Sequence, residues 1–100
     1  MDGWNDNSRP RRTFTLGRIV MTPGAAAAFA ATGERPFSFL ARHQRGDWGD
    51  VSPEDAAEND VSISQGFRIL SASALQDGTR LWIRTEADHS GTTILLPDEY

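Results

Sequence analysis

Gly66-Phe67-Arg68-Ile69-Leu70-Ser71-Ala72-Ser73-Ala74-Leu75, Gln76-Asp77-Gly78-Thr79 and Arg80-Leu81-Trp82-Ile83-Arg84-Thr85 form the stretch that decides the fold. Two β-rich runs flank an Asp-Gly turn, and both turn residues tolerate the positive φ that a tight hairpin needs. A second turn, Ala87-Asp88-His89-Ser90-Gly91, leads to Thr92-Thr93-Ile94-Leu95-Leu96. Residues 66–100 therefore read as a compact antiparallel meander, with Tyr100 packed back against the domain.

Upstream, Thr13 to Met21 reads as a first strand interrupted by Gly17. Thr22-Pro23 is a helix start, a hydroxyl N-cap followed by proline at the first helical position, and Gly33 is its natural stop. Pro36 opens a second helix on which Phe37, Leu40 and Ala41 share one face, ending at Gly46. Ser52-Pro53-Glu54-Asp55 starts a third, with acids where the helix dipole favours them. It runs to about Gln65, with Ala57, Val61 and Ser64 expected inward and Gly66 as terminator. The order is β-α-α-α-β-β-β. It predicts an α+β fold: a small antiparallel sheet of about four strands with helices on one face. Residues 1–12 are polar and are expected to be a flexible arm, and residues 13–100 a single domain.

The chain has 100 residues, 38% hydrophobic and 24% charged, the composition of an ordinary globular domain. It has no cysteine, which excludes disulfides, thiolate metal sites and cysteine nucleophiles. No apolar run approaches the ~18 residues of a spanning helix, and none follows the N-terminal charges as in a signal peptide. A cytoplasmic protein is expected. All ten basic residues are arginine, a pattern of GC-rich coding, although arginine also forms bidentate contacts.

Charge is segregated. Residues 1–45 carry net +4, residues 46–67 carry six acids and no base, and residues 68–100 carry net −2. Within the acidic segment, Gly46-Asp47-Trp48-Gly49-Asp50 has two readings. It is either a rigid loop holding Trp48 out as a contact anchor, or a helix terminator in which Trp48 plugs the core and Asp50 caps the next helix. The acids themselves read as a solvated helix start, as a surface mimicking nucleic-acid phosphates for an arginine-lined groove, or as a metal site. The alternating ligands and glycine turn of a calcium loop are absent. No metal or cofactor is expected.

His43, beside Arg42 and Arg45, is expected at the surface. Asp88-His89-Ser90 contains triad residue types, but neighbours in one turn cannot adopt triad geometry. Arg9-Pro10-Arg11-Arg12 is a short basic arm. With no RNP-type aromatics, zinc-finger spacing or helix-turn-helix signature, direct nucleic-acid binding is not expected.

Several strings from Leu40 to Tyr100 resemble a family of small bacterial plasmid and mobile-element proteins of the plasmid-related type. They are Ala41-Arg42-His43, Gly46-Asp47-Trp48-Gly49-Asp50, Asn59-Asp60, Arg68-Ile69-Leu70-Ser71, Asp77-Gly78-Thr79, Leu81-Trp82-Ile83, Thr85-Glu86-Ala87-Asp88 and Thr92-Thr93-Ile94-Leu95-Leu96-Pro97. Ser73 departs from the expected aromatic and His89 from the expected arginine. The resemblance implies a mobile-element setting, in which small acidic proteins block host defences, but no reaction.

The resulting expectation is a non-enzymatic protein-binding module, an inhibitor of a nucleic-acid-targeting defence complex of anti-CRISPR or anti-restriction type. Its binding residues are Asp47, Trp48, Asp50, Glu54, Asp55 and Glu58, facing a partner's basic groove. The alternatives are a small hydrolase or nuclease using His43 or His89 with Asp47, Asp50 or Asp88, and a homodimer paired through an open sheet edge.

Overall fold

The computed structural model describes residues 14–100, so the expected N-terminal arm lies outside the described residues. The elements are β1 (Arg18–Met21), α1 (Pro23–Thr32), α2 (Pro36–Gln44), α3 (Pro53–Gln65), β2 (Ile69–Ala74), β3 (Arg80–Thr85) and β4 (Gly91–Leu95), followed by a 3-10 turn at Pro97–Glu99. This is the expected β-α-α-α-β-β-β order in a small α+β fold.

The strands form one sheet in the order β1-β4-β3-β2. β2, β3 and β4 are the antiparallel meander, but β1 joins parallel to β4, so the sheet is mixed. No hairpin dictates the direction of β1, because all three helices intervene before the next strand. Its end is instead tied to the end of β4. Glu99 accepts from the Thr22 hydroxyl and from the Gly24 N–H, and so completes the cap of α1.

Alternation along the strands gives the sheet two faces. Ile69, Thr85 and Thr92 share one row, and Ser71, Ile83 and Ile94 the next, all buried beneath the helices. There Leu81, Ile83 and Ile94 pack with Ala25, Phe29, Phe39, Leu40 and Leu75. A second cluster joins Phe14, Trp48 and Ile69, with Leu16, Val51, Ala56 and Ile63 against it.

Helix starts and stops follow local chemistry. Thr22 and Ser52 accept from Ala25 N–H (3.2 Å) and Asp55 N–H (3.1 Å), and Gly33 and Gly66 end α1 and α3 in the left-handed conformation. Two helix faces differ from expectation. On α2 the buried residues are Phe39, Leu40 and His43, while Phe37 is 77% exposed. On α3 they are Asn59 and Ser62, whereas Ala57, Val61 and Ser64 face solvent.

The reason lies in what α3 packs against. The Asn59 amide donates to Leu70 C=O (2.7 Å) and accepts from Leu70 N–H (3.2 Å) on the outer edge of β2. One step along the same edge, Ala72 N–H donates to Trp48 C=O (3.1 Å) and Ala72 C=O accepts from Asp50 N–H (2.8 Å). The edge of β2 is thus covered by a side chain and a loop. At the other end of the sheet, Arg18 and Thr22 donate towards β4, which turns the main chain of Ile19 and Met21 outward. Among the described residues no strand pairs with that edge.

Replacing Asn59 with alanine leaves both Leu70 groups without protein partners. Two hydrogen bonds at about 1 kcal/mol each predict a loss near 2 kcal/mol in urea denaturation. A loss below 0.5 kcal/mol would mean that water replaces the amide at no cost.

Candidate functional site

The acidic segment becomes one side of a groove. α3 begins at Pro53 and runs beside the chain that enters β2. Val51, Asp55, Glu58, Asn59, Arg68 and Leu70 line a hollow of about 200 Å³ between them. Glu58 and Arg68 also border a wider, shallower depression with Val61, Ser62 and Phe67. The two adjoin at Glu58 and Arg68, with carboxylates at Asp55 and Glu58 and apolar surface at Val61 and Phe67. Val61 and Phe67 are 52% and 60% exposed, large apolar surfaces that a folded chain usually hides.

Asp47, Asp50, Glu54, Asp55 and Glu58 are all exposed. Asp55 and Glu58 line the groove, and Glu54 lies one helical turn before Glu58. Asp47 and Asp50 stand on the preceding loop, where Asp47 pairs with Arg42 at 3.1 Å. The loop is held rigidly by its bridge to Ala72.

Trp48 is elsewhere. It is buried, with its indole N–H donating to Asp60 (3.0 Å) and its ring stacked on Phe14 at 6.2 Å. The contact-anchor role expected for it is therefore corrected. Positive φ at Gly46 and Gly49 turns the loop inward, and Trp48 is a core plug. Asp50 does not cap α3 either, since Ser52 does.

Groove residues that sequence reasoning missed are Arg68, Phe67, Val61 and Asn59. A phenylalanine directly after the helix stop Gly66 was the available signal for Phe67.

His43 corrects another expectation. It lies 1% exposed inside the fold, between the edges of the Phe14 and Trp48 rings. Its Nδ1 meets the Ser71 hydroxyl at 2.6 Å and its Nε2 the Thr85 hydroxyl at 2.9 Å. Thr85 meets Thr92 at 2.8 Å, and Thr92 donates to Leu16 C=O at 2.7 Å.

The terminal carbonyl can only accept, and each hydroxyl has one proton. Thr92 spends its proton on Leu16, so Thr85 donates to Thr92, the His43 Nε2–H donates to Thr85, and Ser71 donates to Nδ1. The imidazole is neutral, and burial lowers its pKa to about 4. Ser71 and His43 resemble a nucleophile–base pair, but their atoms are sealed from solvent, and His43 has hydroxyl partners where a carboxylate was expected. This is a satisfied core network that joins α2 to three strands.

His89 sits at φ 60° in the turn before β4, its ring against Phe14 at 5.4 Å. Among the described residues no group of three His, Asp or Glu side chains is placed to hold a metal ion, and no helix is long and apolar enough to cross a membrane.

Comparison with protein-family models, with curated proteins and with solved structures found no match to this chain. The family resemblance therefore rests on the motifs quoted above, and the reading of function on the chemistry of the groove.

Proposed function

We propose that this chain is a non-enzymatic binding protein that docks α3 and its groove onto a basic surface of a protein partner. The observation that carries the reading is five exposed carboxylates, Asp47 and Asp50 on the loop before α3 and Glu54, Asp55 and Glu58 in its first turns, with the exposed apolar pair Val61 and Phe67 further along. Carboxylates one helical turn apart stand about 6 Å from each other, so several can meet an arginine-lined groove together. The apolar pair supplies the desolvated contact that charge alone lacks. A groove built to hold nucleic-acid phosphates has the required charge. The partner class we propose is accordingly a cytoplasmic nucleic-acid-targeting defence complex, inhibited as by anti-CRISPR or anti-restriction proteins of mobile elements.

The test is capture of such a complex by the tagged chain, at about 0.15 M and about 1 M salt, which bracket Debye lengths of ~8 and ~3 Å. Capture should fall at least tenfold at high salt. It should fall as far at low salt when Asp55→Arg and Glu58→Arg are combined. Capture indifferent to both changes would refute the acidic-groove reading.

A further inference from the structure

The sheet face turned away from the helices carries the opposite chemistry. Register places Arg80, Trp82 and Arg84 of β3 and Arg18 of β1 on that face, and Arg68, just before β2, follows the same alternation. Tyr100 folds back onto it, meeting the Trp82 ring edge-to-face at 5.3 Å. The Arg84 guanidinium lies 5.3 Å from the Tyr100 ring centroid, and Arg68 donates to the Tyr100 hydroxyl at 2.7 Å. The Glu99 tie to Thr22 and Gly24 holds the turn that delivers this ring.

Tyr100 remains 55% exposed. Glu86 pairs with Arg84 at 3.2 Å, and among the described residues no carboxylate pairs with Arg18, Arg68 or Arg80. From Arg80 to Arg18 the face runs diagonally for about 22 Å, taking ~3.4 Å per residue and ~4.8 Å per strand.

We propose that this face is a binding site for single-stranded nucleic acid, with the Tyr100–Trp82 pair as a base-stacking platform and Arg18, Arg68 and Arg80 as phosphate contacts. Unpaired cations give charge complementarity to a polyanion. An exposed ring among them selects a polyanion with flat, unstacked bases over an acidic peptide or a duplex. A diagonal of this length holds about four nucleotides, the short end of the site sizes of small single-strand-binding folds. The site borders the acidic groove at Arg68, which lines both, while Tyr100, Trp82, Arg80 and Arg18 lie outside the groove, and it departs from the expectation that the chain does not bind nucleic acid directly.

The test uses the full chain and a fluorescein-labelled oligothymidylate of about twelve nucleotides at about 50 mM salt, read by anisotropy and tryptophan quenching. The expected result is saturable binding with a log–log salt slope near −2, from three phosphate contacts at about −0.7 each. Tyr100→Ala and Arg80→Glu should each weaken it about tenfold, as loss of a stacked base or a phosphate contact does. Arg35→Glu, the same charge change on the helical side, should alter it less than twofold.

Four results would overturn the proposal: no signal at 100 µM protein, equal affinity for the duplex, equal weakening by Arg35→Glu and Arg80→Glu, or displacement by polyglutamate as effective as by unlabelled oligothymidylate. None of these measurements involves the groove partner, so failure here leaves the acidic-groove reading standing.

Discussion

Gly49→Ala should lower stability by about 4 kcal/mol. Gly49 has φ 73°, and a Cβ there would stand 2.0 Å from the Ala72 carbonyl oxygen. No flexible side chain is available to yield, because the obstacle is β2 backbone. The left-handed conformation costs an alanine about 1 kcal/mol. Moving the loop away breaks the two hydrogen bonds to Ala72, at about 1 kcal/mol each, and loosens Trp48. Against a total of about 5–15 kcal/mol, such a loss lowers Tm by roughly 20 °C. Gly33→Ala is the matched control: it also has positive φ, but nothing lies within 4 Å of its Cβ. Thermal melts should place Gly33→Ala within about 8 °C of the parent. A Gly49→Ala protein melting beside that control would mean that the bridge to Ala72 does not form in solution.

The second large effect is a dependence of stability on pH, and it comes from His43. In the unfolded chain the imidazole titrates near 6.5, and in the folded one near 4, because burial disfavours its charged form. As pH falls through 6.5 the unfolded state takes up a proton that the folded state refuses. Stability is therefore full above 6.5 and is lost progressively down to about 4. The shift corresponds to about 3 kcal/mol. His43→Leu removes this slope. It also leaves the Ser71 and Thr85 hydroxyls without their ring partner, so at pH 7 it should be about 3 kcal/mol less stable than the parent. Urea titrations at several pH values between 4 and 7 measure both quantities. A parent whose stability is flat over that range, or a variant that keeps the slope, would show that the imidazole is not buried neutral.

The parts of the fold legible in the sequence are those encoded by neighbours. Asp77-Gly78 between two β-rich runs, Thr22-Pro23, Ser52-Pro53 and Gly66 each act within a few residues, and each sits where local chemistry puts it. The direction of β1 was not legible, because three helices separate it from β4. The inner face of α3 was misread because its anchor is polar. Asn59 looks like surface until Leu70 is known to lie beside it, while Val61 looks like core and borders the groove. His43 escaped for the same reason, since Ser71 and Thr85 are 28 and 42 residues away. At the candidate site the exposure of the acids was readable from their density. The groove was not, because it exists only where Phe67 and Arg68 meet α3.

The unequal edges of the sheet set a limit on assembly. Asn59 and the 48–50 loop occupy the main-chain groups of β2 that another strand would need, whereas β1 leaves Ile19 and Met21 pointing outward. A sheet with two open edges can polymerise head to tail without end, which is the route to fibrils. Among the described residues only the β1 edge is open, so through them a second molecule can join edge to like edge, across a two-fold axis. Any such union uses both open edges at once and terminates at two copies.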